Sequence, residues 1–61
     1  MLNAYEISIV FIDGSKHTSL EVAETVREAR TEAIKHFQYW HGEWTRKLML
    51  GTIARVISYD L

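Results

Sequence analysis

The sequence contains no cysteine and no proline, and both absences narrow what the chain can be. Without cysteine there is no disulfide to stabilise a small domain, and the commonest zinc ligand is missing. The missing cysteine also fits a reducing compartment, so we expect the protein to be cytoplasmic. No proline, repeat or low-complexity segment divides the chain, and we therefore expect residues 1–61 to form one small α+β domain.

Strong charge of one sign and long hydrophobic runs are also missing. A net charge of -1 and a pI near 6.3 give no argument for binding a phosphate backbone or an anionic membrane, or for mimicking DNA. The longest clean apolar run, residues 9–12, is too short to cross a bilayer, and the N-terminus lacks the basic region of a signal peptide. We expect a soluble protein without a membrane partner.

Catalytic and metal-binding signatures are missing as well. There is no cysteine nucleophile, no glycine-rich phosphate loop, no G-x-S-x-G and no H-E-x-x-H. The three histidines are His17, His36 and His41. His36 and His41 are five residues apart and diverge on a helix, and no third metal ligand is evident. Glu32 and His36 have i,i+4 spacing, which is most typical of a surface pair. We expect no enzyme, no metal and no cofactor.

A domain of 61 residues buries only about 60% of the surface of its unfolded chain, so its stability is marginal. With disulfides excluded and no metal site evident, self-association is the remaining means of stabilisation. The hydrophobic content of 48% is typical of a folded domain. The sequence therefore predicts a folded homo-oligomer, most simply a homodimer.

The first half of the chain predicts a β-hairpin. Residues 4–12 alternate, with Tyr5, Ile7, Ile9 and Phe11 on one face and Glu6, Ser8, Val10 and Ile12 on the other. Asp13-Gly14 favours a two-residue type I′ turn, with positive φ at both positions. A second strand then follows from Lys16, with Thr18, Leu20 and Val22 on the face shared with the core. A helix beginning at Thr18, with Glu21 completing a capping box, is the alternative.

The second half predicts a helix and a third strand. Thr25 and Glu28 form a capping box, and Gly42 is suited to end a helix over residues 26–41. Its apolar stripe consists of Val26, Ala29, Ala33, Phe37 and Trp40, with Ile34 on the flank. After a link over residues 43–47, a strand is predicted within residues 48–59, most securely from Thr52 to Tyr59, with a helix as the alternative.

Together these elements predict a ββαβ fold with a three-stranded sheet of order 2-1-3 and the helix packed on one face. One helix covers only one face of such a sheet. The opposite face would hold Glu6 and Ser8 together with four β-branched aliphatic residues, which are too apolar to be left in water. These four are Val10, Ile12, Ile53 and Ile57. We therefore expect this face, or the free edge of the third strand, to be an interaction surface.

Aromatic and basic residues are concentrated around the end of the helix. They are Phe37, Tyr39, Trp40, His41, Trp44, Arg46 and Lys47. Such a group can anchor a protein partner or stack the bases of a single strand. Alternatively, Phe37 and Trp40 close the core and only Tyr39 and Trp44 remain partly exposed. Trp44 is the residue most expected to reach a partner, because it lies outside the predicted elements.

The order of hairpin, helix and strand resembles that of small phage inhibitors of the uracil-DNA glycosylase inhibitor type, which place these elements in a dimer. The resemblance covers element order alone, with no shared motif, and it implies no residue roles. Short chains without cysteine or catalytic motifs often belong to phages and other mobile elements. The sequence thus favours a homodimeric, non-catalytic protein-binding module of phage or other mobile-element origin that binds or inhibits a host protein. The alternative is a single-stranded nucleic-acid-binding protein that uses Trp44, Arg46, Lys47 and Arg55.

Overall fold

The computed structural model describes all 61 residues. Its elements are β1 (Asn3–Phe11), β2 (Lys16–Ala23), α1 (Val26–His41), α2 (Thr45–Leu48) and β3 (Met49–Ser58). The strands form one sheet of order β2-β1-β3, in which β1 is antiparallel to both neighbours. The predicted ββαβ fold is confirmed, and both alternative helices are wrong because their segments are strands. Neither helix combines the length and the hydrophobicity that crossing a bilayer requires.

The limits of α1 follow from its two caps. Thr25 Oγ1 accepts a hydrogen bond from the backbone N–H of Glu28 at 3.2 Å, as the capping box predicts. At the other end Gly42 has φ of 90°, and its N–H donates to the Gln38 oxygen at 2.7 Å. A left-handed glycine of this kind stops a helix, so both predicted limits are confirmed.

The core lies between α1 and one face of β1. Along β1 the side chains of Tyr5, Ile7, Ile9 and Phe11 are buried and alternate with half-buried ones, as predicted. From α1, the small side chains of Ala29 and Ala33 are buried against them, which lets the helix lie close to the sheet. The helix lies chiefly over β2 and β1 and makes fewer approaches to β3.

The predicted facing of β2 is wrong. Leu20 and Val22 were expected in the core, but they are 69% and 55% exposed, whereas Glu21 and Ala23 are buried. Tyr5 is opposite Glu21, and the strand is therefore paired one residue away from the predicted register. Since side chains alternate along a strand, this shift of one residue turns the whole of β2 over.

The turn between β1 and β2 is the cause of this shift. Gly14 has φ of 88°, but Asp13 does not have a positive φ, as a type I′ turn would require. The Gly14 N–H donates to the Phe11 oxygen at 3.0 Å, and the Phe11 N–H donates to the Ser15 oxygen at 2.9 Å. This pattern matches a three-residue loop with a glycine bulge, and Ile12 lies in the loop rather than in the strand.

The link between α1 and β3 contains an element that the sequence did not predict. Residues 45–48 form the helical turn α2, and β3 begins directly afterwards at Met49. Thr45 is fully buried, and its Oγ1 donates to the Gly42 oxygen at 2.8 Å. This hydrogen bond ties the turn to the end of α1 and fixes the position of the preceding Trp44.

Candidate functional site

The residues predicted to contact a partner lie in separate patches. They are Val10 and Ile53 on the sheet face without a helix, Ile12 and Trp44 in a cleft beside the hairpin turn, Tyr39 and Trp40 at the end of α1, and Arg46 and Lys47 on α2. The predicted aromatic group is therefore divided into two parts.

Phe37 is the centre of an aromatic cluster where α1 meets the hairpin. Its ring centroid lies 5.2 Å from Phe11, 4.8 Å from His17 and 6.3 Å from Trp44. The His41 ring stacks on Phe37, with the two centroids 4.2 Å apart. Phe37 thus packs against the end of the core, as the helical stripe predicts. His17 takes part only because β2 is turned over, and the sequence did not predict this.

A cleft of about 320 Å³ opens beside this cluster. Its lining residues are Phe11, Ile12, Phe37, Trp44 and Leu48, together with Asp13 and Ser15. Trp44 is 46% exposed, and a Cβ at position 42 would lie only 3.3 Å from its Cδ1 atom. Gly42 therefore leaves room for the indole. Trp44 thus packs against Phe37 and is also half-exposed at the cleft.

Asp13 gives the cleft a negative charge. Its Oδ1 accepts hydrogen bonds from the Ser15 hydroxyl at 2.6 Å and from the Ser15 N–H at 2.8 Å. Both hydrogen bonds favour the ionised form, and they lower the pKa of the Asp13 carboxyl below its ordinary value of 3.8. The carboxylate is therefore charged at neutral pH.

Tyr39 and Trp40 form the most exposed aromatic pair of the molecule. Their rings meet edge to face, with centroids 5.1 Å apart, and the residues are 81% and 78% exposed. The interpretation that Trp40 closes the core is wrong. Phe37 already packs on Phe11, the last residue of β1, so the following turn of α1 has no strand beneath it.

The sheet face without a helix carries polar groups in its middle, where the sequence places Glu6 and Ser8. There the Glu6 carboxylate pairs with Arg55 at 3.1 Å, and the hydroxyls of Ser8 and Thr18 are hydrogen-bonded at 2.9 Å. These polar groups separate the apolar side chains of the two outer strands. Those side chains are Leu20 and Val22 on β2 and Ile53 on β3.

Sequence reasoning missed Leu20 and Val22 on this face. A two-residue Asp13-Gly14 turn places both in the core, whereas the three-residue loop of the structure places both on this face. The signal was present in the sequence, since Asp-Gly also fits the glycine bulge of a longer loop. The polar residues His17, Ser19 and Glu21 would then face the helix.

Glu21 is a buried carboxylate that the sequence did not single out. Its Oε2 accepts a hydrogen bond from the Ser19 hydroxyl at 3.0 Å, and its Oε1 lies 3.1 Å from His36 Nδ1. The other ring nitrogen of His36 lies 3.7 Å from Glu32 Oε2, as their spacing predicts. The polar contacts of this carboxylate explain how it is tolerated under the helix. Nowhere do three acidic or histidine side chains form a group that could hold a metal ion.

The fold is thus that of a small α+β protein with one open sheet, an aromatic cleft and a separate exposed aromatic pair. No family model, no curated protein and no solved structure matches this chain.

Proposed function

We propose that this chain is a non-catalytic, cytoplasmic protein-binding module that works as a homodimer and contacts its partner through Tyr39, Trp40 and Trp44. The observation that carries the proposal is the Tyr39–Trp40 pair. Tyrosine and tryptophan bury large areas with little loss of conformational entropy, and they are enriched among the residues that dominate binding energy. Two such side chains held edge to face and left almost fully exposed are suited to insert into a partner.

The charges that follow Trp44 in the chain indicate the chemistry of the partner. Arg46 and Lys47 are exposed on α2 directly after Trp44, and neither takes part in an ion pair within the chain. A complementary surface would therefore be acidic around an apolar pocket. A small host protein or enzyme with an acidic rim fits this description, in line with an inhibitory module of phage origin.

The proposal of a non-catalytic role rests on what the cleft contains. It holds one ionised carboxylate, one serine and apolar side chains. Asp13 and Ser15 are hydrogen-bonded to each other within the turn, and no histidine lines the cleft to act as a base. A nucleophile together with an oriented base is what catalysis of group transfer needs.

Binding measurements with one purified partner test the proposal. A tagged chain captures candidate partners from the host, and the dissociation constant of each purified candidate is then measured for wild type and for Trp40→Ala. Loss of a hot-spot tryptophan costs about 2 kcal/mol or more, which is roughly a thirtyfold weaker complex. Thr31→Ala, an exposed change on the same helix, is the control and should leave affinity unchanged. Equal affinities of wild type and Trp40→Ala would refute the assigned surface.

Single-stranded nucleic acid is the second candidate partner, favoured by the half-exposed Trp44 next to Arg46 and Lys47. Base stacking on tryptophan and charge pairing with phosphate would make such binding fall steeply as salt rises. Titration of an oligonucleotide at two salt concentrations separates the candidates. Tight binding that depends on both salt and Trp44 would replace the protein partner by a nucleic acid.

A further inference from the structure

The direction of the backbone groups in the sheet follows from the hairpin turn. Phe11 uses both its N–H and its oxygen in hydrogen bonds with Ser15 and Gly14, so its backbone points towards β2. Because these groups alternate sides along a strand, the neighbouring residue Val10 points towards β3. The Ile12 N–H, which donates to the Leu48 oxygen at 2.8 Å, agrees with this alternation. The same alternation directs Ser8 and Glu6 towards β3.

The partners of these residues on β3 point back towards β1. They are Gly51, Ile53 and Arg55. The alternate residues of β3 therefore direct their N–H and C=O groups away from the sheet. These residues are Thr52, Ala54 and Val56. These three residues form the free edge of β3, and their backbone can accept another strand.

Irregular pairing limits the usable length of this edge. The β1–β3 register shifts between Val10 and Phe11 and again between Ala4 and Tyr5. Such irregularities disturb pairing on a strand edge, so the regular part of β3 runs over residues 51–56. Thr52 and Val56 lie at the two ends of the free edge within it, and Ala54 lies at its midpoint.

The contacts of Thr52 leave the edge able to pair. Arg30 Nη1 reaches down from α1 and donates to the Thr52 oxygen at 3.2 Å and to its Oγ1 at 3.0 Å. A carbonyl oxygen has two lone pairs and can accept a second hydrogen bond. Val56 is 37% exposed, since the helix lies chiefly over the other two strands.

The charge on this segment suits pairing with an identical segment. Arg55 is its only charged residue, and Glu6 of the same chain already pairs with it. Antiparallel pairing of two copies about Ala54 places Thr52 opposite Val56 and Arg55 opposite Ile53. Pairing about Arg55 would instead place two arginines opposite each other, which is unfavourable. Pairing about Ile53 would place Val56 opposite Leu50, in the irregular part of the strand.

We infer that a second copy of the chain binds along the free edge of β3, by antiparallel pairing of residues 52–56 about Ala54. This inference rests on the homodimer in the proposed function and places its interface. The two sheets then form one sheet of six strands. The dimer leaves the Tyr39–Trp40 pair of each copy uncovered, because that pair lies on the helix rather than on the edge.

Disulfide trapping tests the inference, since the chain has no cysteine of its own. Paired antiparallel residues have Cα atoms about 4.5–5.5 Å apart, within the range that a disulfide bridges. Ala54→Cys should therefore form a covalent dimer several-fold faster than Val22→Cys, an exposed position on the outer strand at the opposite edge. Sedimentation of the wild type is measured at the same concentration.

Disulfide trapping and sedimentation together test the β3 interface and the homodimer separately. A wild-type dimer in which Ala54→Cys forms disulfides no faster than Val22→Cys would overturn the β3 interface and leave the homodimer intact. A wild type that sediments only as a monomer would overturn the homodimer itself, and the interface with it. Preferential trapping of Ala54→Cys in a wild-type dimer supports both.

A pair of proline variants provides a second readout. Ala54→Pro removes an N–H that points away from the sheet, so the fold should persist while the dimer is lost. Arg55→Pro removes an N–H that points towards Glu6, so it should lower the melting temperature of the chain itself. An Ala54→Pro variant that remains folded and dimeric would overturn the inference. Should Ala54→Pro fail to fold, the trapping experiment still decides.

Discussion

Phe37 is the residue that joins the helix, the hairpin and the link to β3. Four aromatic or histidine rings surround it, one from each strand of the hairpin and two from the region where α1 ends. Aromatic pairs at these distances add to the effect of the buried area alone. Removal of this ring would therefore leave its neighbours without a common contact.

We expect Phe37→Ala to lower the free energy of unfolding by about 3 kcal/mol, the low end for such truncations, because the ring is half-buried. Tyr39→Ala is the matched control, two residues along the same helix, and should change stability by less than about 0.5 kcal/mol. Chemical denaturation of both variants measures the difference. Equal and small effects would show that the cluster contributes little to stability.

The helical period could predict Phe37 but not the exposure of Trp40. Both residues fall on one stripe of α1, and the period alone does not say where the sheet beneath the helix ends. That point depends on how the strands and the helix are placed along each other. The same limitation applies to Trp44, whose half-exposed position depends on α2 and on the room left at Gly42.

At the level of elements, the hairpin shows what a sequence pattern can and cannot decide. Alternation predicted both strands, and the capping box predicted the start of α1, since these signals are local. The register of β2 depended on one further residue in the loop, and the apolar pattern of Leu20 and Val22 pointed to the wrong face. A register is a contact between two segments, so local patterns constrain it only weakly.

The turn also gives a pH-dependent prediction through Asp13. Its pKa is lowered in the folded state by the Ser15 hydrogen bonds, so its contribution to stability is complete above pH 3.8 and is lost as the pH falls through the folded-state value. Asp13→Asn lacks this contribution. The melting temperature of wild type should exceed that of Asp13→Asn at neutral pH, and the gap should close in acid.

Asp60→Asn is the control for this titration, because the Asp60 side chain accepts no hydrogen bond within the chain. A melting temperature close to that of wild type at neutral pH would show that loss of an exposed carboxylate is not by itself destabilising. A gap between wild type and Asp13→Asn that stays constant into acid would show that the charge of Asp13 plays no part in the turn.

The whole molecule has a small core for its length. Only nine of the 61 residues are buried, and large apolar side chains remain exposed on β2, on β3 and on α1. Because the single long helix lies chiefly over β1 and β2, β3 is the strand that the helix covers least. These features are the reason for expecting that part of the stability comes from association.

Association makes stability depend on concentration. If the folded state is a dimer, the melting temperature should rise as the protein concentration rises, because mass action favours the associated state. Calorimetry over a hundredfold range of concentration measures this rise, and Ala54→Pro should reduce it. A melting temperature that does not change with concentration would mean that the fold is stable as a monomer over that range.

The glycine-bulged loop between β1 and β2 also makes the chain unusually sensitive to length changes at one place. Loss of a single loop residue would favour the two-residue turn. The side chains of β2 that now face the helix would then face away from it, and the reverse. Leu20 and Val22 would enter the core and Glu21 would leave it. Loss or gain of two residues would preserve the present facing. Among related chains, insertions and deletions here should therefore come in even numbers, or be accompanied by an inverted polar pattern along β2.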